Sequence, residues 1–290
     1  MIKSSSNKIY LFFLLGRYHK PYGSFLLMWP CFWGVSFLNQ ISLVDLWYLI
    51  LLAFGSFIMR GAGCTINDIV DHKYDAKVER TKNRPLASKK ITILEAIFFL
   101  FIQLLLGLVI LINFDNRTIL ISLSIIPLVF LYPLFKRFTF FPQVILGLIF
   151  NWGVLVGFSS SNEFININII YLYFAGVFLT IGYDTIYAFQ DINDDRKIGL
   201  KSLAMKTSKF PRFYLSLIYV FSALLFCISF FKNYGINFLS IFFSSFIFLF
   251  LLMQVKNFDI NNKQMLQKQF VSNSYLGGFI FFGFFIANYL

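Results

Sequence analysis

Uncharged apolar stretches of about 20 residues recur along this chain from one end to the other, and no other feature restricts its folding as much. That is the length at which an α-helix, rising about 1.5 Å per residue, crosses the hydrocarbon of a bilayer. Nine stretches qualify or nearly qualify. They run about Pro21 to Leu38, Leu46 to Ile66, Ile93 to Ile112, Thr118 to Leu134, Val144 to Phe158, Ile169 to Phe189, Phe213 to Phe231, Ile236 to Val255 and Phe270 to Tyr289. Of 290 residues, 58% are hydrophobic and 13% charged, against about 25% charged in an ordinary soluble domain. One water-soluble core cannot hide that much apolar surface. The sequence therefore predicts an all-α integral membrane protein, nine transmembrane helices in a single bundle forming one domain over 1–290.

The run from Ile9 to Leu15 is too short to span. It is followed by Arg17, His19 and Lys20 where a signal peptide would carry small residues, so about 1–20 reads as an interfacial segment. Cys31, Cys64 and Cys227 have no CxxC spacing and read as small core residues. His19 and His72 share no metal-ligand spacing and read as interfacial.

Nine crossings put the termini on opposite sides, and the basic residues test that count. Twenty-three of the twenty-five Lys and Arg fall before the first stretch or in alternate loops: Arg60 to Lys90, Lys136 and Arg137, Arg196 to Arg212, and Lys256 to Lys268. Only Arg117 and Lys232 lie on the other side. Under the positive-inside rule this places the N-terminus and those loops in the cytoplasm and the C-terminus in the periplasm of a bacterial inner membrane. The equivalent site in a eukaryote is the mitochondrial inner membrane. The net charge of +12 is then an attraction to anionic membrane lipid, and no nucleic acid or obligate protein partner is required.

Two groups of acids lie on this basic side. Asn67, Asp71 and Asp75 are spaced i, i+4, i+8, and if the second helix continues past Ile66 they share one face, with Asp68 beside them. Unpaired like charges at that spacing repel, so the cluster implies a cation. After the sixth stretch come Asp184, Asp191, Asp194 and Asp195. In a continuous helix Asp184, Asp191 and Asp195 fall near one face and Asp194 to the side. Carboxylates and an amide are hard ligands that suit Mg2+, which shares its coordination with phosphate oxygens. Arg80, Lys82 and Arg84 follow the first cluster, and Arg196, Lys197 and Lys201 the second, as an anionic substrate would require.

At these residues the chain resembles the UbiA superfamily of intramembrane aromatic prenyltransferases, most of all its 4-hydroxybenzoate polyprenyltransferase branch. The string MRGAGCTINDIVDHKYDAKVERTKNRPLAS, Met59 to Ser88, carries the pattern NDxxDxxxD. The string YDTIYAFQDINDDRKIGLKSLA, Tyr183 to Ala204, carries DxxxD at Asp191 and Asp195. KPYGSFLLMWP (Lys20 to Pro30) and YPLFKRFTFFPQ (Tyr132 to Gln143) are further matches in the expected order. Phe189 stands where a more polar residue is expected, and Leu203 where Thr is common.

The resemblance implies an active site toward the cytoplasmic face and two magnesium ions bridging the clusters and a polyprenyl diphosphate, whose tail lies in a lipid-open groove. Departure of diphosphate leaves an allylic carbocation. The ring carbon ortho to the hydroxyl of 4-hydroxybenzoate attacks it, a step of ubiquinone synthesis. Asp71, Asp75, Asp191 and Asp195 become the catalytic acids and, with Asn67, the direct or water-mediated metal ligands; Asp68 and Asp184 support them. Arg60, Arg80, Arg84, Lys136, Arg137 and Lys201 become substrate-binding bases. Arg60 is expected to partner the acids, and Arg137 to take the benzoate carboxylate, with diphosphate or a topology anchor as its other roles. Homogentisate, dihydroxynaphthoate or haem as acceptor, and a divalent-cation transporter, are the rival readings.

Overall fold

The computed structural model describes residues 2–38, 41–161 and 163–289, with side chains from 8 onward. All regular structure among them is helical. The elements are α1 (Ile2–Leu15), α2 (Tyr22–Ser36), α3 (Leu43–Asp75), α4 (Ile93–Leu111), α5 (Asn116–Ser124), α6 (Ile126–Phe138), α7 (Pro142–Ser159) and α8 (Ile167–Ala188). After a 3-10 turn (Phe189–Asp191) come α9 (Ile192–Lys197), α10 (Leu203–Thr207), α11 (Pro211–Tyr234), α12 (Phe238–Lys256) and α13 (Lys263–Ala287).

The helices begin where the sequence satisfies their free N–H groups. Ser42 with Asp45 and Thr92 with Glu95 form reciprocal capping boxes at α3 and α4. Proline opens α7 and α11, where its missing donor costs nothing. The expected fourth span is interrupted: α5 stops at Ser124 and α6 starts again ahead of Pro127, which cannot donate to the preceding turn.

Among the described residues, eight helical segments are long and apolar enough to cross a membrane, α5 with α6 and α8 with its continuation each counting as one. Helix α2 has 15 residues, short of the roughly 20 needed to span the hydrocarbon. Helix α8 is central: 72% of its most apolar stretch is buried, against 11% for α4, which offers Phe98, Phe101 and Leu105 to lipid. Around α8 pack α7, α11 and α13, and α2 lies between α7, α3 and α13.

Small residues let α2 and α7 approach closely. A Cβ on Gly157 would lie 2.0 Å from the Cys31 carbonyl oxygen, and one on Gly34 would lie 2.2 Å from that of Val154. Lipid competes equally for apolar side chains, so such close packing and buried polar links hold the bundle. Asn151 Nδ2 donates to Thr180 at 2.8 Å, Trp33 Nε1 to the Gly277 carbonyl at 2.8 Å, and Tyr219 to Gln254 at 2.7 Å. Away from the bundle, Leu15 of α1 packs with Leu86, Ile91 and Ala96, which tethers the loop between α3 and α4.

Candidate active site

Helix α3 does not end with its apolar stretch at Ile66 but runs on to Asp75, so the first acidic cluster rides on its last turns. The expected i, i+4, i+8 face is therefore real. Asp68, Asp71 and Asp75 are 2%, 4% and 7% exposed. Across from them, α8 carries Asp184, and the chain beyond it carries Asp191 and Asp195. These last two do not continue the α8 spiral, because the 3-10 turn over Phe189–Asp191 tightens the winding before α9. All three nevertheless face α3 across one cavity of about 530 Å³, which Arg60 and Asn67 of α3 line together with Arg80, Arg84 and Lys136. Asp194 is not among the lining residues.

Each buried acid of the first cluster meets a base. Lys136 Nζ lies 2.5 Å from Asp71, and Arg84 Nη1 lies 2.7 Å from Asp75 and 3.2 Å from Asp68. Arg17 Nη2 holds Asp68 at 2.6 Å. In the second cluster, Arg80 donates from Nε to both oxygens of Asp191, at 2.9 Å each. Unpaired carboxylates at this depth would be costly, and the pairs offset that cost. Burial, with Arg17 beside it, pushes the Arg84 guanidinium below its usual range despite Asp68 and Asp75. Burial and the adjoining Lys20 and Arg17 likewise lower the His19 imidazole. The cavity lining is thus dense in both signs, with Arg17, Lys20, Arg60, Arg80, Arg84 and Lys136 set among the six aspartates.

Three expected residues are placed differently. Lys201 does not line the cavity: its ammonium donates to the Phe138 carbonyl at 3.2 Å and sits over the Phe140 ring. Arg137 lies behind the lining, with Nη2 3.2 Å from the Val70 carbonyl and 3.4 Å from Asp71, over the Tyr74 ring. Arg60 is in the cavity as expected, but its guanidinium lies over the Phe150 ring and forms no ion pair among the described residues. Asp68, Asp75 and Asp191 pair instead with Arg17, Arg84 and Arg80, and Asp71 with Lys136 of α6.

Sequence reading missed Arg17 and the tyrosines. Arg17 adopts a left-handed φ of 56° in the tight link between α1 and α2. That link is fixed by Gln103, whose Nε2 donates to the Tyr18 hydroxyl and whose Oε1 accepts from Thr65, both at 3.0 Å. Tyr132, Tyr183 and Tyr187 line the cavity, and Arg80 Nη1 donates to Tyr187 at 2.8 Å. Tyr187 falls four residues before Asp191, a spacing that could have flagged it.

The donor set suits magnesium: an amide and carboxylates from two facing walls, all hard oxygen ligands. Among the described residues no three of these groups are drawn together into a ready-made cage. Lysine and arginine side chains stand between them. Such a site favours an ion that keeps waters and shares its coordination with an anionic substrate.

The chain is 40% identical over 281 residues to the mitochondrial 4-hydroxybenzoate polyprenyltransferase of Dictyostelium discoideum, covering 95% of this chain and 60% of that relative. This chain thus spans about 60% of that relative's length. It is 37% identical to 4-hydroxybenzoate geranyltransferase 2 of Lithospermum erythrorhizon, covering 94% of this chain and 89% of that one. Its fold matches a UbiA homologue from Archaeoglobus fulgidus bound to GPP and Mg2+ with a TM-score of 0.71 at 17% identity, over 97% of this chain and all of that one. The profile of the UbiA prenyltransferase family matches residues 27–288. With that match across nearly the whole bundle, the chain belongs to the UbiA prenyltransferase family.

Proposed function

We propose that this protein transfers a polyprenyl group from polyprenyl diphosphate to the ring carbon ortho to the hydroxyl of 4-hydroxybenzoate, in ubiquinone biosynthesis. The observation that carries this reading is the cavity itself, where two acidic clusters and a set of cations face each other at one end of the bundle. The relatives named for 4-hydroxybenzoate prenylation, and the homologue bound to GPP and Mg2+, support it.

Asn67, Asp71, Asp75, Asp191 and Asp195 would hold Mg2+, with Asp184 in support. Asp68, held by Arg17 and Arg84, would likewise act in support. Magnesium, when bound, neutralises charge that develops on the diphosphate as its bond to the prenyl carbon breaks. Arg80, Arg84 and Lys136 reach the cavity on long side chains and would bind the diphosphate oxygens. Arg60, with no ion pair and an aromatic ring beneath it, is better placed than Arg137 to hold the benzoate carboxylate. The new carbon–carbon bond forms at the ortho position, and loss of the ring proton restores aromaticity.

The same reading makes 1–290 one prenyltransferase domain of nine crossings, α2 included. Its acidic end faces the cytoplasm of a bacterial inner membrane, or the matrix side of the mitochondrial inner membrane in a eukaryote. Reporter fusions after Lys90 and Arg212 should read inside, and fusions between Asn113 and Asn116 outside. The reverse pattern would overturn the orientation.

The reading is tested by incubating purified protein with geranyl diphosphate, Mg2+ and each aromatic acid in turn. Prenylated 4-hydroxybenzoate is expected. Preferential prenylation of homogentisate or dihydroxynaphthoate would reassign the acceptor. Magnesium uptake into vesicles without prenyl transfer would replace the enzyme by a carrier.

A further inference from the structure

Two strings that are far apart in the sequence, Tyr132 to Gln143 and Gly199 to Ala204, meet in the structure. Helix α10 has Ser202 at its N-cap, yet the Ser202 side chain makes no capping bond, and its buried hydroxyl has no partner. The free N–H at this helix start is satisfied from elsewhere. Leu203 N–H donates to Oε1 of Gln143, at 3.0 Å, from the first turn of α7. Gln143 is 3% exposed, so water does not compete for that bond. Two more bonds lie alongside it: Lys201 N–H donates to the Lys136 carbonyl at 2.8 Å, and Lys201 Nζ to the Phe138 carbonyl at 3.2 Å. Phe138 is the last residue of α6, where free carbonyls and the helix dipole favour a cation.

We infer that Gln143 is a positioning residue for the active site. It clips the segment after Asp195 to the connection between α6 and α7, and so fixes Lys136 relative to both acidic clusters. The chain is short on each side of the clip. Leu200 N–H donates to the Asp195 carbonyl at 3.0 Å, so the segment is tied to the second cluster at one end and to Gln143 at the other. Lys136, whose carbonyl the clip holds, reaches Asp71 of the first cluster with its ammonium. Gln143 is therefore not itself a lining residue of the proposed substrate site yet sets the spacing between a base and acids on both walls. The burial of Gln143 also explains why a glutamine is needed: the bond calls for an acceptor on a side chain that reaches across from α7. A hydrophobic residue of the same length would leave the Leu203 N–H unpaired.

The inference rests on the proposed function for its calorimetric and kinetic arms, and the exchange arm is independent of it. Gln143→Met removes the acceptor at nearly constant size, whereas Gln143→Glu keeps an oxygen acceptor facing a helix N-terminus. In hydrogen–deuterium exchange the Leu203 amide and its neighbours up to Thr207 should lose protection in Gln143→Met and regain it in Gln143→Glu. Calorimetry with magnesium and inorganic pyrophosphate, which needs no acceptor, should show affinity weakened about 10- to 100-fold in Gln143→Met and near normal in Gln143→Glu. In turnover, the Michaelis constant for 4-hydroxybenzoate should stay within about twofold while the diphosphate donor suffers. Unchanged exchange would remove the clip. Lost protection with unchanged pyrophosphate affinity would reduce Gln143 to packing and overturn the inference. Should Gln143→Met fail to fold, Lys201→Met cuts the parallel bond to Phe138 and should move the same readouts in the same direction; no movement there also overturns it. A wild-type protein that binds magnesium pyrophosphate but prenylates no acid would defeat the proposed function and leave the clip standing.

Discussion

Arg80 Nε lies 2.9 Å from both carboxylate oxygens of Asp191, joining the loop that follows the first acidic cluster to the second cluster 111 residues further along the chain. The same guanidinium donates to Tyr187 and lies over its ring at 5.1 Å. A base so shared between the walls can turn to an entering diphosphate without losing its acidic neighbour altogether. Arg80→Ala should raise the Michaelis constant for the prenyl diphosphate about tenfold or more, and Arg80→Lys should recover only part, because an ammonium cannot fork. Initial rates over a range of donor concentration decide it. An unchanged donor constant in Arg80→Ala would place Arg80 outside the substrate site.

Asp71 meets two bases, Lys136 and Arg137. Asp71→Ala and Asp191→Ala should each lower prenyl transfer about 10²- to 10⁴-fold, as expected for loss of charge stabilisation at a departing anion. Chelation of divalent metal should silence the unaltered protein to a similar degree, with activity restored by added magnesium. Size exclusion and thermal unfolding on the same samples show whether the variants remain folded. Near-normal turnover by either folded variant contradicts the role assigned.

Much of this site was legible because helical spacing survives translation into structure. Asn67, Asp71 and Asp75 share a face since α3 continues without a break to Asp75. The second cluster was legible as residues but not as geometry, because nothing in Phe189 to Asp191 announces a 3-10 turn. For two of the bases the direction was not legible, because contacts far apart in sequence decide it. Lys201 and Arg137 are charged and near the right helices, but each is spent on a backbone carbonyl, Phe138 for the one and Val70 for the other. Arg17 was invisible because its role depends on a left-handed turn and on Gln103 holding Tyr18, contacts made across 85 residues of sequence.

The α2 to α7 contact gives a stability test that bears on the bundle alone. At Gly157 a methyl group would meet the Cys31 backbone at 2.0 Å, and backbone cannot rotate away as a side chain tip can. Gly157→Ala should cost about 1–3 kcal/mol, as overpacking does. Gly63, in the middle of α3 with nothing within 4 Å of its would-be Cβ, is the control. Gly63→Ala should be neutral or stabilising by about 1 kcal/mol, since alanine is the better helix former. Thermal unfolding in one detergent compares them, and equal midpoints would contradict the close packing.

Arg60 and Arg137 offer two places for the benzoate carboxylate, and their surroundings separate them. Arg60 lies in the cavity over Phe150 without an ion pair among the described residues, whereas Arg137 is shared between the Val70 carbonyl, Asp71 and the Tyr74 ring. A lysine at either position keeps the charge and loses the paired donors that match a carboxylate. If Arg60 holds the acceptor, Arg60→Lys should raise the Michaelis constant for 4-hydroxybenzoate about tenfold and leave that of the donor nearly unchanged. Arg137→Lys should instead act through Asp71, lowering turnover or donor affinity while acceptor affinity holds. The two variants are therefore expected to fail on different substrates. A rise in the acceptor constant confined to Arg137→Lys would reverse the assignment, and the position of Arg60 over Phe150 would then serve packing alone.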